Sequence, residues 1–469
     1  MPTLASGIHT ALQAVLAQSL TIETIEHNVA NVSTVGYHRQ SAVLRATSSA
    51  TSVMNFSTYS AGQIGTGVTV DRINRFSLDF FDGRYRSILA DTKSWEYQRE
   101  MYVQMETVLS DLSDEGISQQ MDRFFQDWQR LSADPANNSV RTELLTNAAA
   151  MTEKFNSSAE QLIALRRDQN LTVRNRVNEI NTLAQSTASL NAEISRVIAL
   201  GEQPNDLLDQ RDLVLDRLSE LTGATSSTQE NGEVVVSVGG HILVTGHDAL
   251  RLTTIPDTDP ANAGVDKIVW EADSKELNLS GGELEGILKI RDYYIPNYLA
   301  KLDDAATTLI SQVNSLHADG YTLDGEKGGV FFTGNSALDI GINLDLTPED
   351  LAVSSDPDEI GNNNIASQIF KLRDEKLMGS NTQTLGEYFN VIMTDLATSA
   401  KQAEDNFKQY DTVLDALGAQ RQSATGVSLD EEAANLAMAE KAYQAAARVM
   451  NAFDDLLDIV LNHMGLVGR

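Results

Sequence analysis

The chain holds no cysteine, and only eight prolines in 469 residues. The first absence removes disulfides, thiol nucleophiles and thiolate metal sites. It leaves the compartment open, because a cysteine-free protein suits oxidising or reducing surroundings. The second leaves long tracts free of helix breakers. Aromatic residues make up only 6%, which favours helical layers over a large aromatic core. Basic residues are scarce as well: 35 Lys and Arg stand against 66 Asp and Glu, for a formal net charge of −31. A surface that acidic repels nucleic acid and anionic lipid unless it carries a basic face, and no Lys/Arg cluster marks one. No apolar run reaches the roughly 20 residues that span a bilayer. The N-terminus lacks the Lys/Arg region, apolar core and small-residue cleavage site of a secretory signal. The expectation is a cytoplasmic protein, or one exported by a route that needs no cleaved signal. The length exceeds one ordinary core and suggests two to four domains.

What is present begins with a heptad stripe. Ile8, Val15, Ile22 and Val29 recur every seven residues, and Leu4, Ala11, Ile25 and Val32 fill a second row whose one polar member is Gln18. Two such rows are the a and d positions of a seam that wants a partner helix. The pattern gives way to β-branched, Asn and Gly residues after Asn28, so the helix is expected to end near Val32. A matching seam closes the chain: Leu429, Leu436, Tyr443, Met450, Leu457 and Met464, with Ala439, Ala446, Phe453 and Val460 three positions on. Stripes at both termini suggest that the two ends pair with each other, with neighbouring copies, or with both. Ordinary core packing explains such rows too. Their place at the ends, where helices are least committed, weighs towards assembly.

Between the seams, residues 40–70 read as an irregular, partly extended connector rich in Ser, Thr and Gly. Helical periodicity runs over 76–112 and 117–131. Residues 136–200 contain no Gly or Pro. A continuous helix there would be on the order of 90 Å long, which belongs to a rod-like bundle, unless it breaks near 166–170. Another helix follows over 206–221. The run Glu233-Val-Val-Val-Ser-Val-Gly-Gly-His-Ile-Leu-Val-Thr-Gly246 is a hairpin signal, with shorter strand-like runs after it. Residues 222–282 therefore read as a small β domain inserted in a helical protein. Helix resumes at Glu283 with a kink or restart at Pro296, residues 320–357 are turn-rich, and 360–418 are helical again. The fold class expected is mainly α with an inserted β domain.

No catalytic, cofactor or metal site emerges. Asp206, Asp209 and Asp212 share a helix face, but Asp206 suits an N-cap and Arg211 can neutralise its neighbours, so a structural use is favoured. His241 and His247 lack a ligand set such as HExxH. The run 319–326 resembles a calcium loop only until Tyr321 and Leu323, which occupy ligand places. Gly62-x-x-Gly-x-Gly67 lies outside any βαβ context. Asp430, Glu431 and Glu432 complement the positive end of the last helix, which needs no ligand.

Three stretches resemble the flagellar axial proteins of rod, hook and hook-associated type. Ala30-Asn-Val-Ser-Thr-Val-Gly-Tyr-His-Arg-Gln40 is similar to the N-terminal signature ANxxTPGYxRQ, matching at Ala30, Asn31, Gly36, Tyr37, Arg39 and Gln40. Val35 stands where the signature has proline, and His27 where asparagine is usual. Residues 426–436 and 442–449 resemble the superfamily's C-terminal helix, with Glu440-Lys441 in place of a Gln-Gln pair. Asp206-Leu-Leu-Asp-Gln-Arg-Asp212, Arg291-Asp292, Val313-Asn314 and Phe331-Phe332 narrow the resemblance to hook-associated proteins of the hook–filament junction. The resemblance implies a discontinuous inner, coiled-coil domain from 1–45 and 425–469. It also implies a helical rod-like domain from 46–221 and 283–424, and a β domain at 222–282. It implies a structural adaptor without catalysis or cofactor, exported through the flagellar type III apparatus with a cytoplasmic chaperone on the C-terminal helix. Its partners would be further copies, the hook protein below, and a second hook-associated protein or the filament side above, with no nucleic acid and no membrane. Residues expected at the assembly interface are Leu4, Ile8, Val15, Ile22, Val29, Leu436, Tyr443, Met450, Leu457 and Met464. The alternatives are a hook or rod subunit and, from another class, a secreted hydrolase with its site in the inserted β region.

Overall fold

Helix forms wherever glycine and proline are missing, and short strands form where β-branched residues gather. The computed structural model describes residues 4–47, 65–109, 116–259, 262, 264–359 and 361–460. Helix α1 (Leu4–Ala30) is followed by turns, then by strands β1 (Gln40–Ala46) and β2 (Val68–Arg75), which pair antiparallel. The connector expected to be irregular is thus a paired ribbon at both its ends, held by Val43, Leu44, Val70 and Ile73. Most of its Ser/Thr/Gly-rich middle lies outside the described residues. Helices α2 (Asp79–Leu109), α3 (Ile117–Ala133), α4 (Asn138–Ala199) and α5 (Asn205–Thr222) come next. Helix α4 is unbroken for 62 residues, with no interruption at 166–170.

Strands β3 (Thr225–Thr228), β4 (Val234–Val238), β5 (His241–Thr245) and β6 (Asp248–Ala249) make one sheet in that order. The β4–β5 turn places Gly239 at φ +56° and Gly240 at φ +81°, which a two-residue hairpin of this hand demands. Strands β7 (Leu252–Pro256) and β8 (Asp266–Trp270) form a separate two-stranded sheet. Helix α6 (Glu283–Lys289) passes through a π turn at Ile290–Tyr294 into α7 (Ile295–Asp319). Pro296 then sits in the first turn of α7, where a missing N–H costs nothing. Short strands β9 (Phe332–Thr333) and β10 (Gly341–Ile342) precede α8 (Asn364–Lys371), α9 (Leu385–Thr425) and α10 (Leu429–Asp458).

The chain divides into two compact units: 1–88 with 181–251 and 412–469, and 89–180 with 252–411. The stretch 222–282, expected as one inserted β domain, contributes β3–β6 to the first unit and β7–β8 to the second. The physical reason lies in helix α4, because ribbons this small need a helix to lean on. Asn191, fully buried, donates to the carbonyls of Val234 at 2.8 Å and Gly246 at 2.9 Å in the first unit. In the second unit Asn170 exchanges hydrogen bonds with Asp266, accepting from its N–H at 2.9 Å and donating to its carboxylate at 3.2 Å.

The second unit packs Phe124, Phe125 and Trp128 of α3 against Phe331 and Phe332, with Met151, Leu162 and Leu309 filling the layer. Its turn-rich segment is held by His317, fully buried, whose Nδ1 lies 2.7 Å from the Gly329 carbonyl and whose Nε2 accepts the Ala352 N–H at 3.0 Å. Both bonds are made together by the neutral ring with its proton on Nδ1. Burial depresses its pKa accordingly. Arg141 donates to the carbonyls of Pro135, Pro348 and Leu351, and burial lowers its pKa to about 10.

Candidate assembly site at the paired chain ends

In the first unit α1 and α10 pack against each other in antiparallel fashion: Gly7 faces Phe453, and Asn28 faces Glu432. A β-carbon on Gly7 would lie 2.6 Å from the Phe453 ring, so the ring sits where only glycine leaves room. Of the residues expected at the interface, Ile8, Val15 and Ile22 are half-buried, and Val29 is 39% exposed. On α10, Leu436, Met450 and Leu457 are half-buried and Tyr443 is 38% exposed. Leu4 opens α1, but its side chain is not among those described, and Met464 lies outside the described residues. The two rows thus meet within one chain, and the seam is only half covered. Ala11, Ile25 and Ala439 are the members fully closed over.

The exit of α1 is fixed by a side chain rather than by the proline that Val35 replaces. Asn28, 1% exposed, accepts the Gln40 N–H at 2.9 Å and donates to the Gln40 carbonyl at 2.8 Å. It therefore pairs with Gln40 as a neighbouring strand would. The same amide donates to Glu432 at 3.0 Å and accepts the Tyr37 hydroxyl at 2.8 Å. Gly36 turns the chain at φ +78°, against Leu213. Val35 is 81% exposed and touches none of this machinery. Arg39 donates to Glu432 at 2.7 Å, and its N–H reaches the Thr425 carbonyl at 2.8 Å. Asn31 closes the last turn of α1 on the His27 carbonyl, and Ala30 is exposed. Glu432, 1% exposed, is therefore an anchor for the signature turn and not only a complement to the helix dipole. A signal for this existed: Glu432 occupies the inward row of Ala439 and Ala446, where a carboxylate must find partners.

The acidic face of α5 completes the joint. Asp206, Asp209, Asp212 and Asp216 recur at three- and four-residue spacing along it. Gln40 donates to Asp206 at 3.0 Å, and the His38 N–H to Asp209 at 3.1 Å, with His38 Nδ1 at 2.7 Å from the same carboxylate. Arg75 bridges Asp209, at 2.7 Å, and Asp212. Arg86 bridges Asp212 at 3.0 Å and Asp216 at 2.6 Å, and Arg421 joins Asp216 at 2.7 Å to Asp82 at 2.8 Å. The structural use expected for these aspartates is realised, but by different partners. Arg211 points to Asn191 and the Gly232 carbonyl, and the cap of α5 is Pro204 rather than Asp206. Burial alone would raise the Asp212 carboxyl; Arg75 and Arg86 outweigh it and hold the group below its usual range. Burial keeps Asp82 above that range despite Arg421. Burial, then Asp206, Asp209 and Glu432, push the Tyr37 phenol up. Every charge here is used to join segments, and none faces a cleft with an unpaired nucleophile.

Two family models match the chain: the flagellar hook-associated protein FlgK helical domain over residues 102–332, and the flagellar basal body rod FlgEFG protein C-terminal region over 419–463. Flagellar hook-associated protein 1 of Bacillus subtilis is 28% identical over 502 aligned residues, which cover 99% of each chain. The chain belongs to the flagellar hook-associated protein family. The protein of the same description from Salmonella typhimurium is 23% identical, over 98% of this chain and all of its own. The fold is shared with the solved structure of the flagellar hook junction protein FlgK from Burkholderia pseudomallei, at a TM-score of 0.66 and 16% identity over 74% of this chain. This hook-associated family is structural and not enzymatic. Its rod-type C-terminal match falls on α10, the helix that carries the second seam.

Proposed function

We propose that this hook-associated protein polymerises into the layer that joins hook to filament, with its paired ends forming the inner, copy-to-copy domain. The observation that carries the reading is the half-covered seam. Residues such as Val29 and Tyr443 keep apolar surface open after α1 and α10 have met, and a further copy would close it. In this reading 1–45 and 425–469 make the inner domain, and Ile8, Val15, Ile22, Leu436, Met450 and Leu457 stiffen it. Leu4 and Met464 would extend the seam at its open end. Hook protein would lie below, and a second hook-associated protein or the filament side above. Export would run through the flagellar type III apparatus without a cleaved signal, with a chaperone on the C-terminal helix until assembly.

The test is complementation of a strain that lacks its own copy. The chain should convert bare hooks into hooks bearing filaments, and Leu457→Asp, which puts a charge into the seam, should not. Filaments on the deletion strain itself would refute the adaptor role. The rod-type match over 419–463 favours a hook or rod subunit as second reading. A deletion strain that makes no hook at all would decide for it.

A further inference from the structure

Helix α10 carries a second heptad row, offset from the one that faces α1. Met438, Ala442, Ala445, Val449, Ala452 and Leu456 recur at alternating spacings of four and three, and Ile459 continues them. Every one of them is exposed, Met438 at 63%, Val449 at 47% and Leu456 at 49%. A continuous a/d row left open along a whole helix fits another helix, and its alanines allow close approach. Helix α1 has an outward row of the same spacing, in which Leu12 and Leu16 are 41% and 56% exposed and Glu23 and Glu26 follow. The flanks are complementary in charge. Lys441 and Arg448 border the α10 row, and both are exposed and make no ion pair among the described residues.

The two rows lie on opposite sides of the α1–α10 pair. A groove of about 390 Å³ beside β1 is edged by Met438 and Ala442, whereas α1 lines it with Gln18, Thr21 and Ile25, not with Leu12 or Leu16. One molecule therefore cannot bring its own rows together, but two can. Resting on the assembly role proposed above, we infer that the α10 row of one copy receives the outward α1 row of a second copy. The register within the chain, Gly7 to Phe453 and Asn28 to Glu432, shows how two such antiparallel helices line up. A stagger of about one helical turn (~5.4 Å) from it sets Glu23 against Lys441, Leu16 against Val449 and Leu12 against Ala452. Because the two faces differ, the contact is head-to-tail and propagates from copy to copy instead of closing as a pair.

The experiment is sedimentation velocity on the full-length chain over a wide concentration range. The wild type should build larger species as concentration rises. Lys441→Glu and Glu23→Lys should each weaken this association about tenfold, and an equimolar mixture of the two variants should restore it, because each then offers the other its complement. Helix content by circular dichroism should be unchanged in both. A wild type that stays monomeric, single variants that associate normally, or a mixture no better than its components would each overturn the inference. The junction reading fails by a different result, since it is judged by hooks and filaments in cells.

Discussion

Asn28 does with one amide what a second strand does with a backbone: it satisfies both the N–H and the carbonyl of Gln40. Asn28→Ala would bury two unpaired main-chain groups, and stability of the first unit should fall by about 2 kcal/mol or more. Urea unfolding followed by the protection of α1 amides checks this. Glu432→Gln keeps the shape but leaves Arg39 without its closest charge. The expected loss is roughly 2 kcal/mol, less than for a fully buried pair because Arg39 is partly solvated. Arg39→Gln in the same background should cost little more, since the two residues act as one unit. None of this was legible in the local sequence. An asparagine near a helix end and a glutamate near a helix start look like ordinary end chemistry. Their partners are 12 and 404 residues away.

Among the elements, the helices and the β4–β5 hairpin were readable because period seven, glycine-free tracts and a Gly-Gly turn are local patterns. The β1–β2 ribbon was not, since its two strands are separated by a long Ser/Thr-rich excursion and pair only in three dimensions. The π turn at Ile290–Tyr294 left no mark either, and Pro296 drew attention to the wrong residue. The outward row of α10 escaped because alanines dilute it. Packing of the first seam depends on Gly7. Gly7→Leu should force the Phe453 ring aside at about 1–3 kcal/mol, and hydrogen exchange of α1 and α10 should accelerate together. Trimming the ring as well, in Gly7→Ala with Phe453→Leu, should recover most of that loss. If α1 alone loosened, the two helices would not be a single cooperative element.

At the scale of the whole molecule, the two units should respond to acid at different points. His317 in the second unit has its pKa depressed by burial. Its contribution is therefore full above the unfolded value of about 6.5 and is lost as pH falls below that towards the folded pKa. Asp212 in the first unit is likewise depressed, so its contribution is full above about 3.9 and is lost only as pH falls further. Asp82, held up by burial, works in the opposite sense and blunts that lower step. Fluorescence of Trp128, whose ring lies 6.5 Å from that of His317, should report the upper transition. His317→Gln should abolish its dependence on pH between about 6.5 and the folded pKa. An unchanged profile would show that the neutral ring is not what holds the turn-rich segment.

The pairing of Asn28 with Glu432 also bears on synthesis. Helix α1 leaves the ribosome early and α10 last, with 404 residues between the two side chains. Until translation reaches α10, the α1 seam has no lid, and contacts of such long range form slowly. A chain that stops short of α10 keeps that apolar stripe bare and leaves Asn28 and Arg39 without their carboxylate. Closure of the two ends thus works as a check on completeness: only a finished polypeptide hides the surface by which quality-control proteases and chaperones recognise an unfinished one.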